Sequence, residues 1–203
     1  MAWVWHRPIE SLSFGTNFDY LASEPVSSDD YLSDNLLPLV SGKPIMRSRA
    51  SLKRFKKLHC PPIDTNPTID KVWQDIILRF VPADRVQFYP VRLIARGEIC
   101  DDYSWVIPFD RVRCIDLTRS DIGEGGKVTS LKDSSLTLVF NVRKYVHKPG
   151  CLGDKNLARD EQDAPHLVIS DELKEALAAT GEDSMFFRPE DTPTIANLRS
   201  DRM

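Results

Sequence analysis

The sequence has little of several features that would indicate a function class at once. Its hydrophobic runs span only a few residues, far short of the roughly 20 that a membrane-spanning helix needs, so we expect no membrane partner. Basic side chains are not in excess, since 27 Lys and Arg stand against 30 Asp and Glu. This balance disfavours direct nucleic-acid binding, which needs concentrated positive charge. The first residues lack a basic start and a long apolar stretch, so we expect no signal peptide.

Cysteine is also sparse, with four in the chain, at Cys60, Cys100, Cys114 and Cys151. No Cys-x-x-Cys pair is present, which argues against a zinc ribbon or a thioredoxin-like site, and four cysteines are too few for a disulfide scaffold. We therefore predict a cytoplasmic protein with all four cysteines reduced. Cys100 and Cys114 have apolar neighbours and are expected to pack as small hydrophobic side chains.

Catalytic signatures are missing as well. The sequence contains no Gly-x-Ser-x-Gly elbow and no His-Glu-x-x-His helix motif. The run SGKP at 41–44 lacks the first glycine of a phosphate loop, and GEGG at 123–126 lacks the strand–turn–helix spacing of a dinucleotide site. Asp101 and Asp102 are adjacent, and since neighbouring residues on a strand point to opposite faces, the pair need not share one site. We predict a protein that is not an enzyme and that carries no cofactor or metal.

What the chain does have is globular composition, 41% hydrophobic and 28% charged. Periodicity predicts helices over 67–80 and 171–179 and strands over 86–94, 103–107, 112–117, 135–146, 166–169 and 185–187. Because few gaps between strands are long enough for a crossover helix, we predict an α+β fold, mainly antiparallel, with two or more helices packed on the sheet. We expect a single domain over 1–203, with its core in 66–190 and a frayed polar tail over 191–203.

Both predicted helices carry start signals. Pro67 precedes the first, with Asn66 or Thr68 as its cap, and Ser170 caps the second, with acidic residues in its first turn. Each helix is followed by an apolar-aromatic strand that ends at proline, VQFYP at 86–90 and MFFRP at 185–189. This rhyme predicts a helix–strand pseudo-repeat.

Charge is unevenly distributed. Residues 151–203 carry 12 acidic against six basic side chains, which is typical either of a face that steers onto a basic partner or of a solubilising surface. Residues 148–164 form a polar excursion, either mobile or functional, and 119–134 a flexible loop or hairpin tip. A basic cluster has three possible interpretations, namely a solvated face, a contact with a protein partner and a contact with a polyanion. Its members are Arg47, Arg49, Lys53, Arg54, Lys56 and Lys57.

Several short motifs occur together over residues 36–190. The run HLVISDELKEAL at 166–177 combines a short strand ending in serine with a helix of Asp/Glu-x-Leu-Lys-x-Ala-Leu type, and MFFRP at 185–189 closes it. VQFYPVRL at 86–93, the stretch 103–120 ending in CIDLTRS, and LVSGKPI at 39–45 precede it. In these segments the chain resembles a family of bacterial immunity proteins, which neutralise cognate polymorphic toxins.

The resemblance implies a non-catalytic inhibitor that binds one toxin domain in the cytoplasm, and it leaves the oligomeric state open. An adaptor or chaperone that binds a secreted toxin without inhibiting it is the second hypothesis, and an enzyme of unrecognised type is the third. Acidic side chains would occupy a basic cleft of the toxin. The contacts that we predict are Asp154, Asp160, Glu161, Asp163, Asp171 and Glu172, the last two having a helix-start role as their alternative.

Overall fold

A computed structural model describes residues 2–6, 16–19, 44–61, 67–131, 133–163 and 165–194. The family-like turn at 39–45 falls mostly outside these residues, as does most of the tail predicted to fray over 191–203. The chain divides into two compact units. The N-terminal unit comprises residues 7–109 and 179–182, and the C-terminal unit comprises residues 1–6, 110–178 and 183–203, where the sequence analysis predicted one domain.

The described strands and helices follow one another in short segments. The strands are β1 Ala2–Trp5, β2 Thr16–Asp19, β3 Ile45–Ser48, β4 Thr68–Ile69, β5 Val86–Ala95, β6 Glu98–Pro108, β7 Arg111–Val112, β8 Asp121–Ile122, β9 Lys127–Thr129, β10 Thr137–Val139, β11 Val142–Lys144, β12 Leu157–Asp160, β13 Leu167–Ser170 and β14 Phe186–Phe187. The helices are α1 Leu52–Phe55, α2 Lys71–Ile77 and α3 Asp171–Ala178. Most strand pairs are antiparallel, so the predicted α+β class is confirmed.

The N-terminal unit is built on a five-stranded sheet of order β2-β3-β5-β6-β4. Its centre is the long antiparallel β5–β6 hairpin, which turns at Arg96 and Gly97, both with positive φ. Pro90 lies inside β5. Because proline has no backbone N–H, it would interrupt the hydrogen bonds of a strand that is paired on both sides. Among the described residues, β3 pairs with β5 at residues 92–95, and the register of the β5–β6 pair shifts between Val91 and Leu93. The strand is therefore irregular directly after Pro90.

The first helix is shorter than predicted and has a different cap. Residues 68–69 form β4 against β6, and α2 begins only after Asp70, whose carboxylate accepts the Trp73 backbone N–H at 3.1 Å. The predicted caps Asn66 and Thr68 were therefore wrong, because Asp70 is the residue with extended backbone directly before the helix. Trp73, with Ile76 and Ile77, faces the interior.

The C-terminal unit holds a second five-stranded sheet of order β14-β1-β13-β12-β7. Strand β1, from the start of the chain, lies inside it, antiparallel to both β13 and β14. Val4 and Trp5 are buried there, as are Leu167 and Ile169 of β13. Strand β13 and helix α3 match the predicted strand and helix closely.

The helix–strand rhyme corresponds to one arrangement that occurs in each unit. In the N-terminal unit, β4 and β5 flank β6 and are joined through α2. In the C-terminal unit, β13 and β14 flank β1 and are joined through α3. Both outer strands are antiparallel to the middle one, so they run parallel to each other and the helix makes the crossover. Crossover helices are thus present, although the sequence spacing argued against them.

The strand predicted over 135–146 is split in two. Asn141 has φ of 51°, which ends the extended backbone between β10 and β11. Strand β10 pairs with β9, whereas β11 pairs with β8. For the segment 119–134 a flexible loop or a hairpin tip was predicted; its described residues supply the partner strands of both halves, and the antiparallel β9–β10 pair agrees with the hairpin.

Gly126 is required by close packing under this kink. A Cβ at Gly126 would overlap the carbonyl oxygen of Phe140 and would lie 2.7 Å from Cγ2 of Ile122. We expect Gly126→Ala to lower the free energy of unfolding by about 3 kcal/mol, as overpacking that displaces backbone does. Gly125→Ala is the control, because that site has open space and only a positive φ of 69°, which costs about 1 kcal/mol. Equal midpoints in urea unfolding would contradict the assignment of close packing at Gly126.

Candidate functional site

An open cleft of about 880 Å³ lies within the C-terminal unit. Residues 146–156 form one side, the start of α3 at 170–172 a second, and residues 188–190 a third. Its charged lining residues are Arg119, Lys148, Asp154, Lys155, Asp171, Glu172, Arg188 and Glu190. The cleft is thus mixed in charge, although this part of the chain is acidic as a whole.

Most of the wall at 146–156 belongs to the polar excursion predicted over 148–164, whose described residues are well structured. Gly150 and Gly153 have φ of 66° and 62°, so each permits a tight turn. Leu152 packs into the core of the unit. The second half of the excursion is β12, whose four residues are all buried. The segment is therefore part wall and part interior strand.

The start of α3 is organised by side chains on both sides of Ser170. The Ser170 hydroxyl accepts the Leu173 backbone N–H at 3.2 Å and donates to Asn156 Oδ1 at 2.7 Å. This confirms Ser170 as the helix cap and ties the helix to the cleft wall. Asp171, in the first turn, accepts the indole N–H of Trp3 at 2.8 Å.

Three of the six predicted acidic contacts reach the cleft, namely Asp154, Asp171 and Glu172. Asp160 does not, because it is fully buried. Its carboxylate accepts the backbone N–H of Cys114 at 2.9 Å and that of Gln162 at 2.8 Å. Burial raises the pKa of Asp160 to about 6. The prediction that Asp160 contacts a partner is therefore corrected. Its side chain accepts backbone hydrogen bonds inside the unit instead.

The other two predicted contacts are also engaged within their own unit. Glu161 accepts from Arg113 Nε at 2.6 Å, and the same guanidinium reaches Asp133 at 2.7 Å. Asp163 accepts a hydrogen bond of 2.6 Å from the Tyr145 hydroxyl, and burial raises the pKa of Asp163. The six residues therefore do not form one surface.

Two cysteines meet beside the cleft. Cys114 and Cys151 are joined in a disulfide, with their Cα atoms 4.9 Å apart. The expectation that all cysteines are reduced was therefore wrong for this pair, although Cys114 does pack in a hydrophobic cluster as predicted. Cys60 and Cys100 are buried and remain thiols.

A histidine completes this cysteine pair. His147 lies opposite Ile115 in an isolated antiparallel bridge, which brings it next to Cys114 in the neighbouring segment. The ligand atoms of Cys114, His147 and Cys151 all lie within 4.8 Å of one another. His147 and Cys151 also line the cleft. We call these three residues the Cys–His cluster.

The imidazole of His147 is held neutral. Burial lowers its pKa to about 4, and both of its ring nitrogens are buried without a hydrogen bond from any described residue. Its ring centroid is 5.5 Å from that of His166, whose own ring packs 4.6 Å from Tyr145. Burial also lowers the pKa of His166 well below its usual value. Sequence reasoning missed this cluster, although the spacing His147-x-x-x-Cys151 was a signal for it.

The β9–β10 hairpin exposes large apolar side chains. Val128 is 49% exposed, Leu131 in the connection fully, and Phe140 56%. Val128 pairs across the strands with Leu138, and the Phe140 N–H extends the ladder to the Gly126 carbonyl at 2.7 Å. Val128, Leu138 and Phe140 therefore share one face, which we call the hairpin face.

The basic cluster of the N-terminal unit lies on β3, α1 and the residues beside them. All six side chains are exposed, while Ser48 and Phe55 between them are buried. This alternation explains the spacing of the cluster without assigning it a partner.

No described helix is long and apolar enough to cross a membrane. No protein-family model matches the chain, and no curated protein is significantly similar to it.

Proposed function

We propose that the protein is a cytoplasmic immunity protein that binds a cognate toxin domain and blocks it without chemistry of its own. The observation that carries the proposal is the hairpin face. Exposed apolar side chains that share one face of an element are typical of protein–protein interaction sites. Phe140 supplies an aromatic anchor of the kind that dominates binding energy when a partner buries it.

The charges around the hairpin suit a protein partner. Glu124 and Lys127 are exposed beside the apolar positions, and the Arg113–Glu161–Asp133 network lies at the connection. An apolar centre with a charged rim is the usual anatomy of a specific interface. The cleft offers a further contact area, in which Asp154, with a 95% exposed side chain, and Glu172 are the accessible acidic groups.

The family resemblance supports the same reading in a different way. Its strongest motif forms β13 and α3, whose apolar residues are in the core. From the core, these residues position the surface of the unit. The resemblance therefore supports the fold of an immunity protein, and the hairpin face supports the binding role.

The test is co-expression with a candidate toxin domain, taken from a gene adjacent to that of this protein. We expect the wild-type protein to rescue growth and to form a complex measurable by calorimetry. Phe140→Asp should weaken that complex by about 30-fold or more, the loss expected for a buried anchor of about 2 kcal/mol. Ile99→Asp is the matched control, since Ile99 is 61% exposed on the hairpin of the other unit.

Each outcome separates the hypotheses. A stable complex that leaves the toxin active would favour the adaptor. A Phe140→Asp complex of unchanged affinity, together with weakening by Glu172→Lys, would move the contact to the cleft. A wild-type protein that neither binds the toxin domain nor protects cells from it would overturn the proposal.

A further inference from the structure

We propose that the reduced protein binds one Zn²⁺ ion through the Cys–His cluster. The inference does not depend on the toxin-binding proposal, because it rests only on Cys114, His147 and Cys151. In the disulfide form the two sulfurs are bonded to each other and are not available as thiolate ligands. Reduction releases both sulfurs beside the His147 imidazole, whose ligand atom lies within 4.8 Å of theirs.

The geometry is close to that of a zinc site. Tetrahedral zinc, with Zn–S near 2.3 Å and Zn–N near 2.0 Å, places its ligand atoms about 3.5–3.8 Å apart. The three ligand atoms here already lie within 4.8 Å of one another, so modest side-chain rotations close the site. The backbone is held in place around Cys114, whose carbonyl accepts the Lys148 N–H at 2.8 Å and whose N–H donates to Asp160 at 2.9 Å.

His147 provides an independent indication of a missing ligand. Buried ring nitrogens are almost always hydrogen-bonded, yet neither nitrogen of His147 has a partner among the described residues. A metal ion would take the lone pair of one nitrogen. Two thiolates and one imidazole form a soft, borderline donor set that favours zinc over magnesium or calcium.

The proposed site keeps one coordination position for an outside ligand. His147 and Cys151 line the cleft, so a fourth ligand, either water or a group bound in the cleft, would reach the ion from there. Three protein ligands with one open position differ from a closed structural site, which uses four.

Zinc and the disulfide exclude each other because they use the same sulfurs. Oxidation by a low-molecular-weight disulfide, such as oxidised glutathione, transfers two electrons from the two protein thiolates to the glutathione sulfur–sulfur bond. The protein disulfide forms, two glutathione thiolates leave, and Zn²⁺ is released. Zinc occupancy would therefore follow the redox state of the pair.

The test uses the full chain, reduced and stripped of metal with a chelator. Added Co²⁺ should give a thiolate-to-cobalt charge-transfer band that saturates at one equivalent, and Zn²⁺ should displace it. The disulfide form should show no such band, and oxidised glutathione should release bound Zn²⁺ to a chromophoric chelator. Cys151→Ser and His147→Ala should each weaken Zn²⁺ binding beyond the roughly 10–100-fold that loss of a second-shell partner causes.

The controls are Cys60→Ser and Cys100→Ser, which leave the Cys–His cluster intact and should bind Zn²⁺ as the wild type does. His147→Ala keeps both sulfurs, so it remains informative if Cys151→Ser fails to fold. The proposal is overturned if the reduced wild-type protein binds no Zn²⁺. It is equally overturned if binding survives both site variants or is lost with Cys60 or Cys100.

Discussion

Replacing Asp160 with alanine is expected to lower the free energy of unfolding by about 4 kcal/mol. The Asp160 carboxylate accepts two backbone N–H groups, those of Cys114 and Gln162. A buried donor left without an acceptor costs about 1–3 kcal/mol, and the substitution leaves two of them together with a small cavity. Water cannot replace the lost carboxylate as the acceptor of these N–H groups, because the site is fully buried.

Urea unfolding of the disulfide form measures this effect. Asp160→Asn keeps one acceptor oxygen and should lie between the wild type and the alanine variant. Asp154→Ala is the matched control on the same segment of chain, and its largely exposed carboxylate should change stability by less than about 0.5 kcal/mol. An alanine variant within about 1 kcal/mol of the wild type, a quarter of the expected effect, would contradict the role assigned to Asp160.

The structural roles of Asp160 and Asp163 also limit which substitutions can locate the binding surface. Charge reversal over residues 160–163 would unsettle the fold, because Asp160 caps backbone groups and Asp163 holds Tyr145. A loss of toxin protection in such a variant would not locate a contact. Phe140, Asp154 and Glu172 are the informative positions, since each is exposed.

Cys151→Ser should lower the free energy of unfolding of the oxidised protein by about 4 kcal/mol. The disulfide links residues 37 apart in sequence, and closing a loop of that length restricts the unfolded chain by about this amount. The disulfide also anchors the wall at 146–156 to Cys114. In the variant, the backbone amides of this wall should therefore exchange their hydrogens faster.

Unfolding is compared with and without a reducing agent, in the presence of a chelator that removes metal. Under reducing conditions the wild type and Cys151→Ser should converge, because neither then has the cross-link. Cys60→Ser should keep the full response to reduction. A wild-type protein whose stability is the same in both conditions would show that the pair does not cross-link in solution.

The candidate sites illustrate which functional features local patterns reveal. Composition reveals the acidic excess over residues 151–203. It does not distinguish the carboxylate of Asp160, which is buried, from that of Glu172, which is exposed. The Cys–His cluster combines a short His-x-x-x-Cys spacing with Cys114, which is 37 residues before Cys151. The bridge between Ile115 and His147 and the hydrogen bond from the Lys148 N–H to the Cys114 carbonyl bring these segments together.

Local sequence by itself determined the capped helix α3 and the strands on either side of it, because capping and periodic burial involve residues within about four positions. It also indicated the class, α+β with short elements. The tertiary structure alone decided that β1 enters the last sheet, where Trp3 meets Asp171 across 168 residues. It also decided which carboxylates are buried and which cysteines pair, because such contacts depend on how distant segments pack rather than on any local pattern.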